Sequence, residues 1–341
     1  MARELRVQDA QCSIAQAAAV VGDWWSLLVV REVARGHRRF DELLGELGIS
    51  RKVLTERLRH LVEHGVLARE PYQVGPVRHE YVLTDAGWAL APVLITMQDW
   101  ADRWLLGDGS LTGVAEPAST EAARVHALLG TRVPAPLSLP SHGGASADEM
   151  ATGTTTAHRT APNGRAPGGG SSGEVAADGM SAGGTTAGGA GATPALDVVA
   201  DAAATVLFCY PATGMPAPLP PGWGEVPGAA GCTLENRLFR DRASEFAAKG
   251  VAVHGVSTQR PDEQAAFAAA EEIPFPLLSD MDLRLAAALR LPTFRAGQAL
   301  RLKRAILVID RHRVVRHVTF PVLDIPQAVE ESLEAAQSLP R

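Results

Sequence analysis

The sequence predicts two folded regions of different class, an N-terminal α+β region and a C-terminal α/β region. Residues up to Leu105 read as helices interrupted by one hairpin, whereas residues from Thr205 onward alternate strand with helix. Between the two, no aromatic residue occurs from Leu105 to Leu207, and Ser141 to Ala192 is almost entirely Gly, Ala, Thr, Ser and Pro. Such a tract cannot bury enough apolar surface to offset its ordering entropy and is expected to be disordered. At 341 residues the chain has room for two domains.

In the N-terminal region, Ala17 to Ala34 is apolar on most faces and predicts a helix. Phe40, Leu43, Leu44 and Leu47 follow the i, i+3, i+4, i+7 pattern of a second helix, which Gly48 stops. Ser50 can cap a third, with Leu54, Leu58, Leu61 and Val62 on its core face and Lys52, Thr55, Glu56 and Arg59 opposite; Gly65 ends it. Val66 to Tyr72 and Arg78 to Leu83 are extended runs around the turn Gln73-Val74-Gly75-Pro76. Thr84 can cap a last helix, Asp85 to Leu105, whose stripe of Leu90, Val93, Leu94, Met97, Trp100 and Trp104 suits dimerisation. Two helices joined by a tight turn and followed by a hairpin make a winged helix-turn-helix, whose second helix is the natural major-groove reader.

Net charge is −6, which argues against a non-specific nucleic-acid binder, so any DNA contact must come from a local patch. Ser50 to His60 supplies one, with four Lys/Arg against a single Glu. Lys52, Thr55 and Arg59 are the candidate base contacts, and Arg51, Arg78 and His79 the candidate phosphate contacts. The other reading of these charges is an ordinary solvated helix face. No run of about 18 apolar residues occurs and the N-terminus lacks a signal-peptide core, so a cytoplasmic protein without a membrane span is expected. Three widely spaced cysteines form neither a disulfide framework nor a zinc site.

In the C-terminal region, Thr205 to Tyr210, Val251 to Ser257, Ala305 to Ile309 and Val314 to Val318 read as strands. Cys232 to Lys249, Pro261 to Glu271, Leu283 to Leu289 and Ile325 to Gln337 read as helices, giving an α/β sheet covered on both faces. Cys232 stands at a helix start, where the helix dipole and a nearby cation lower a thiol pKa. Arg304, opening a strand, is placed to supply that cation, and Glu235 one turn on can orient the network. A structural cysteine at a helix start has the same sequence signature.

The segments CSIAQAAAVVGDWWSLLVVREVARGHRRFDELL, ISRKVLTERLRHLVEHGVLAREPY and RHEYVLTDAGWALAPVL resemble the HxlR family of bacterial transcriptional regulators. That resemblance implies a homodimer on a palindromic double-stranded operator. It also implies an N-terminal cysteine, here Cys12, which in some relatives senses oxidants and in others is structural. VLFCYP, GCTLENRLFRD, GVSTQ, PFPLLSD and LKRAILVID are similar in order and spacing to the peroxiredoxins, the AhpC/TSA and Q-type proteins of thioredoxin-like fold. By that resemblance Cys232 is the peroxidatic cysteine, Arg304 the active-site arginine, and Thr233 and Glu235 belong to the Cys-Thr-x-Glu motif. A peroxide substrate and an external thiol reductant are implied, and neither a metal nor an organic cofactor is.

Three departures from that pattern stand out. Ala229 replaces the Thr or Ser three residues before the cysteine, with Thr213 or Thr233 as possible substitutes. Cys232 comes 21 positions after Pro211, in place of the usual seven, and Trp223 in the insertion is placed to pack over the site. Arg237 replaces the Q-type resolving cysteine, leaving Cys209, Cys12 or an outside thiol; Cys209 on a strand reads equally as core. GTRVPAPLSLP resembles the first extended segment of a peroxiredoxin. The expected division is therefore a winged helix over 1–106, a linker with a short helix over 107–129, and a redoxin over 130–341 with a disordered insertion at about 141–192. Three functions stay open: a redox-sensing regulator, a peroxidase whose winged helix dimerises it, and a regulator with a catalytically inactive redoxin domain.

Overall fold

The structure is a computed structural model and describes residues 11–75, 77–106, 113, 115–142, 194–214, 219, 222–296 and 299–339. Apart from Ser141 and His142, the low-complexity tract lies outside them, as do most of the 107–118 connector and part of the insertion before Cys232.

The predicted helix over Ala17 to Ala34 is two helices, α1 (Ser13–Val21) and α2 (Trp24–Ala34), bent by 75°. The break follows from Gly22-Asp23. Asp23 is extended, and its carboxylate accepts from the Trp25 and Ser26 amides at 2.9 and 3.1 Å, starting a new helix. α3 (Phe40–Leu47) stops at Gly48, whose φ is 61°, and Ser50 caps α4 (Arg51–Glu63) through the Val53 amide. Leu54, Leu58 and Leu61 bury the inner face of α4 against Val29, Val33 and Leu43, while Val62 is only partly buried. β1 (Leu67–Val74) and β2 (Val77–Leu83) form the antiparallel wing. The predicted last helix divides into α5 (Asp85–Trp88) and α6 (Ala91–Ala101), which continues as a π turn, Asp102–Leu106. Pro92 has no N–H to give the preceding turn, which accounts for the division. Among the described residues no single helix is long and apolar enough to cross a membrane.

α7 (Thr120–His126) follows, capped by Ser119. β3 (Ser138–Pro140) pairs antiparallel with β4 (Ala195–Asp197), so the chain leaves and re-enters this region through one short ladder. The remaining elements are β5 (Ala204–Cys209), α8 (Cys232–Asp241), α9 (Ala243–Ala248), β6 (Val251–Ser257), α10 (Pro261–Ala270), β7 (Leu277–Ser279), α11 (Arg284–Leu289), β8 (Thr293–Ala296), β9 (Ala299–Leu302), β10 (Ala305–Asp310), β11 (Val315–Thr319) and α12 (Ile325–Gln337). The helix expected over Cys232 to Lys249 is thus two, broken at Arg242. The five-stranded sheet runs β11-β10-β5-β6-β7, with β5, β6 and β7 parallel and β10 antiparallel to both neighbours. This is the thioredoxin-like α/β architecture expected of the C-terminal region. Strand alternation sends Val206, Phe208 and Tyr210 to one face with Phe239, Phe246, Phe267 and Leu333, and Leu207 and Cys209 to the other with Leu285, Leu289 and Leu291.

The second face also takes in Ala91 and Ile95 of α6, so the winged helix and the redoxin region share one apolar cluster. Polar contacts reinforce it. Gln98 donates to the Leu291 carbonyl at 3.1 Å, Arg295 pairs with Asp99 at 3.3 Å, and Arg124 grips Asp102 at 2.9 and 2.7 Å. Just before β10, Lys303 is fully buried and reaches Glu121 of α7 at 2.6 Å.

Candidate functional site

Cys232 is the first residue of α8, and its side chain is 3% exposed. Gly231 precedes it with φ 99°, and a Cβ there would fall 2.7 Å from Cδ1 of Ile325 at the start of α12. Only glycine allows both that backbone and that approach. The Cys232 thiol donates to the Ala229 carbonyl at 3.5 Å, the Arg304 guanidinium donates to Sγ at 3.5 Å, and the Ala212 amide is a further donor to the sulfur. Arg304, 3% exposed, donates through the same Nη2 to the Ala230 carbonyl at 3.0 Å and through Nη1 to the Glu235 carboxylate. Helical periodicity puts Glu235 one turn beyond Cys232, so thiol and carboxylate meet the same guanidinium. Among the described residues, Glu235 Oε1 has no hydrogen-bond partner.

Burial pushes the Cys232 thiol above its ordinary pKa, Arg304 pulls it back, and Glu235 adds to the rise. Burial likewise pushes Glu235 up to about 7, against the pull of Arg304. The sequence expectation of a lowered thiol pKa therefore does not describe this closed, reduced arrangement, because desolvation outweighs the helix start and the cation. Chemically, the site holds a thiol whose ionised form has a guanidinium and an amide already aimed at it, which is what a nucleophilic cysteine needs once deprotonated.

The second candidate surface is α4 with the wing. Lys52, Thr55 and Arg59 are exposed on the side away from Leu54, Leu58 and Leu61. Arg59 makes a loose pair with Glu63 at 3.7 Å, and Lys52 has no partner among the described residues. Thr55 donates its hydroxyl back to the Arg51 carbonyl at 2.8 Å, so only its oxygen is free to accept. Arg51 leans over the half-buried Phe40 and pairs with the exposed Asp41 at 3.1 Å. Arg78 is exposed and His79 half-buried on β2.

Residues 20–108 match the HxlR-like helix-turn-helix family, and residues 226–318 match the AhpC/TSA family. An uncharacterized HTH-type transcriptional regulator of Mycobacterium tuberculosis is 45% identical over 93 residues, 27% of this chain and 59% of that protein. The chain thus spans a little over half the length of the first of these curated relatives. The HTH-type regulator YvaP of Bacillus subtilis, also uncharacterized, is 40% identical over 91 residues, 26% of this chain and 84% of the relative. The chain belongs to the HxlR-like helix-turn-helix family, fused to an AhpC/TSA-family domain. The crystal structure of peroxidoxin BcpB from Mycobacterium tuberculosis is 28% identical, covering 44% of this chain and 89% of that one, with a TM-score of 0.36.

Within the AhpC/TSA-family domain the structure brings Cys232, Arg304 and Glu235 together and leaves the other candidates apart. Thr233 is half-buried and makes no hydrogen bond to the cluster among the described residues. Thr213 does not take over from the missing hydroxyl either. Its amide and hydroxyl both go to Gln259 Oε1, at 2.7 and 3.2 Å, and its carbonyl accepts from Gln259 Nε2 at 3.1 Å. The backbone carbonyl of Ala229 stands at the sulfur instead, itself held by the Trp223 indole N–H at 3.1 Å. Arg237, in the Q-type resolving position, pairs with Glu271 on the surface at 2.6 Å. Cys209 lies in the apolar cluster on the opposite face of the sheet from Cys232, and burial raises its pKa far above the ordinary thiol range. It is therefore core, and not placed to resolve Cys232. Cys12 is exposed at the N-cap of α1 in the HxlR-like region. Residue chemistry alone did not point to the Ala212 amide, the Ala229 carbonyl or the Gln259 lock, although Gln259 lies in the GVSTQ segment that carried the resemblance.

Two outcomes follow from the charge balance. Glu235→Gln removes the anion that competes for Arg304, so the pH midpoint for alkylation of Cys232, followed by intact mass, should move down. An upward shift would show that Glu235 acts mainly by positioning Arg304. Because the folded value of Glu235 lies above the ordinary carboxylate value, its contribution to stability falls as pH rises from about 4 to about 7. Wild type should therefore lose denaturant stability relative to Glu235→Gln over that window, and parallel pH curves would overturn the assignment.

Proposed function

We propose that the chain is a DNA-binding transcriptional regulator whose AhpC/TSA-family domain reacts with peroxides at Cys232. The observation that carries this reading is the buried Cys232–Arg304–Glu235 cluster in a chain that also presents an exposed basic recognition helix. The Cys232 thiolate attacks the terminal peroxide oxygen, the O–O bond breaks, and the other oxygen leaves as water or alcohol after taking a proton. Sulfur is oxidised to the sulfenic acid and the peroxide is reduced. Arg304 stabilises the leaving oxygen's charge. A second thiol, external or Cys12, condenses with the sulfenic acid and a further thiol releases the free cysteine, since neither Arg237 nor Cys209 supports resolution.

The raised thiol pKa and the carbonyl at Ala229 favour a slow, stoichiometric sensor over a rapid peroxidase. The regulator reading also takes the division into a winged helix over 1–106, a connector over 107–129 and a redoxin over 130–341. DNA recognition falls to Lys52, Thr55 and Arg59 at base edges and to Arg51, Arg78 and His79 at phosphates. Dimerisation falls to the exposed apolar side chains Trp24, Val93, Met97, Trp100 and Trp104, while Leu90 and Leu94 pack on the chain's own core.

Stoichiometric peroxide should lower operator affinity in wild type, and Cys232→Ser should abolish the response; equal responses in gel-shift titrations would leave the redoxin domain outside the regulation. Arg59→Ala should weaken cognate binding by about 1–3 kcal/mol and relax specificity, whereas an unchanged affinity would remove it from the interface. Sedimentation at micromolar concentration should give a dimer that Trp100→Glu dissociates, and a monomeric wild type would refute the apolar face as an interface.

A further inference from the structure

The HxlR-like and AhpC/TSA-family parts enclose a cleft of about 900 Å³. Its walls come from α2, α6, α7, the segment 131–135 and the end of α11. Leu27, Leu94, Met97, Leu128 and Ala288 make it largely apolar, a composition and size usual for organic ligands.

Its charges are one-sided. Arg31, Arg35, Arg38, Arg124, Arg132 and Arg290 line it, and Asp102 is the one carboxylate among the lining residues described. The local acids are already used. Glu32, buried behind the wall, takes Arg31 and Arg35 at 2.7 Å each, and Asp102 takes both ends of Arg124. Arg38, Arg132 and Arg290 have no ion-pair partner among the described residues. Arg290 carries the observation furthest. It is a non-glycine residue in the left-handed region, with φ 52°, held there as its carbonyl accepts from Arg124 at 3.2 Å. Burial, with Arg124, Arg31 and Arg35 as like-charged neighbours and Glu32 pulling the other way, brings its pKa down to about 10. A strained backbone that delivers an unpaired guanidinium into a nest of guanidinia works against stability, and a bound anion would reverse that sign.

We propose that this cleft binds an organic monocarboxylate with an apolar body, its carboxylate on Arg290 and its hydrocarbon between α6 and α11. A guanidinium fork matches a carboxylate, and the apolar walls distinguish such a ligand from an inorganic anion. Because the walls belong to both parts of the chain, occupancy ties the ligand to their packing. The site is on the sheet face opposite Cys232 and does not depend on the peroxide reading.

Octanoate is the probe, read by calorimetry and thermal unfolding of the full chain. It should bind once per chain and raise Tm, with octanol, octyltrimethylammonium and inorganic phosphate each at least about tenfold weaker. Arg290→Gln should weaken octanoate by about tenfold or more without lowering the Tm of the unliganded protein. Ala127→Trp, at an exposed position on the cleft wall, should block binding by volume. Equal binding of octanoate and octanol, phosphate binding as tightly as octanoate, or an Arg290→Gln and an Ala127→Trp protein that both keep wild-type affinity would each overturn the proposal.

Discussion

The contact on which the AhpC/TSA-family half of the molecule depends is the buried fork of Arg304 between the Cys232 sulfur and the Glu235 carboxylate. A guanidinium taken out of water is tolerable only when its hydrogens are used, and here a carboxylate, a carbonyl and a sulfur use them. That requirement propagates outward. It needs α8 to begin at Cys232, Gly231 to let α12 come close, and the link between β9 and β10 to turn the Arg304 side chain toward α8. Removing one member of such a buried pair leaves an uncompensated charge, an effect of about 3–5 kcal/mol in comparable pairs. The same geometry explains why the thiol is restrained. Desolvation opposes the thiolate, and the one cation beside it is shared with a carboxylate.

The two family regions are not beads on a string. Ala91 and Ile95 of α6 lie in the same apolar cluster as Leu285, Leu307 and Ile309. The short polar contacts of Gln98, Asp99 and Asp102 follow along the same helix and its π turn. α6 therefore has two allegiances: its inner residues belong to the redoxin core, and Met97 and Trp100 remain exposed. Close-packed side chains thus join the two regions along one helix.

Much of this was legible in the sequence, and the parts that were not have physical reasons. Ser50 and Gly48 announced α4 because caps and left-handed stops are residue-specific. The break at Gly22-Asp23 was hidden by apolar residues on both sides, although Asp23 is itself a cap residue. The hairpin of β8 and β9 was missed because four-residue strands carry too few alternations to register. At the site, Cys232 stood out at a helix start, but a structural cysteine has the same signature, and it was the resemblance to the peroxiredoxins that singled out Cys232, Glu235 and Arg304 together. The donors and acceptors around the sulfur could not be read, because the Ala212 amide and the Ala229 carbonyl are backbone groups that any residue provides. Thr213 was misjudged for the converse reason: a hydroxyl's identity says nothing of which neighbour will claim it, and Gln259 claims this one.

Lys303 and Arg304 are consecutive, both buried, and each meets its own buried carboxylate, Glu121 in the connector helix and Glu235 behind the thiol. Consecutive side chains of an extended backbone point to opposite sides, so the two cations are addressed by parity alone. A one-residue slip of β10 would carry the two residues that lead into it along and reverse the side each faces. An ammonium would then stand at the sulfur, where it offers a point charge in place of a fork that spans thiol and carboxylate. The guanidinium would be turned toward the connector. The register of one strand thereby encodes which face of the sheet carries the cysteine cluster and which face holds the two halves of the chain together.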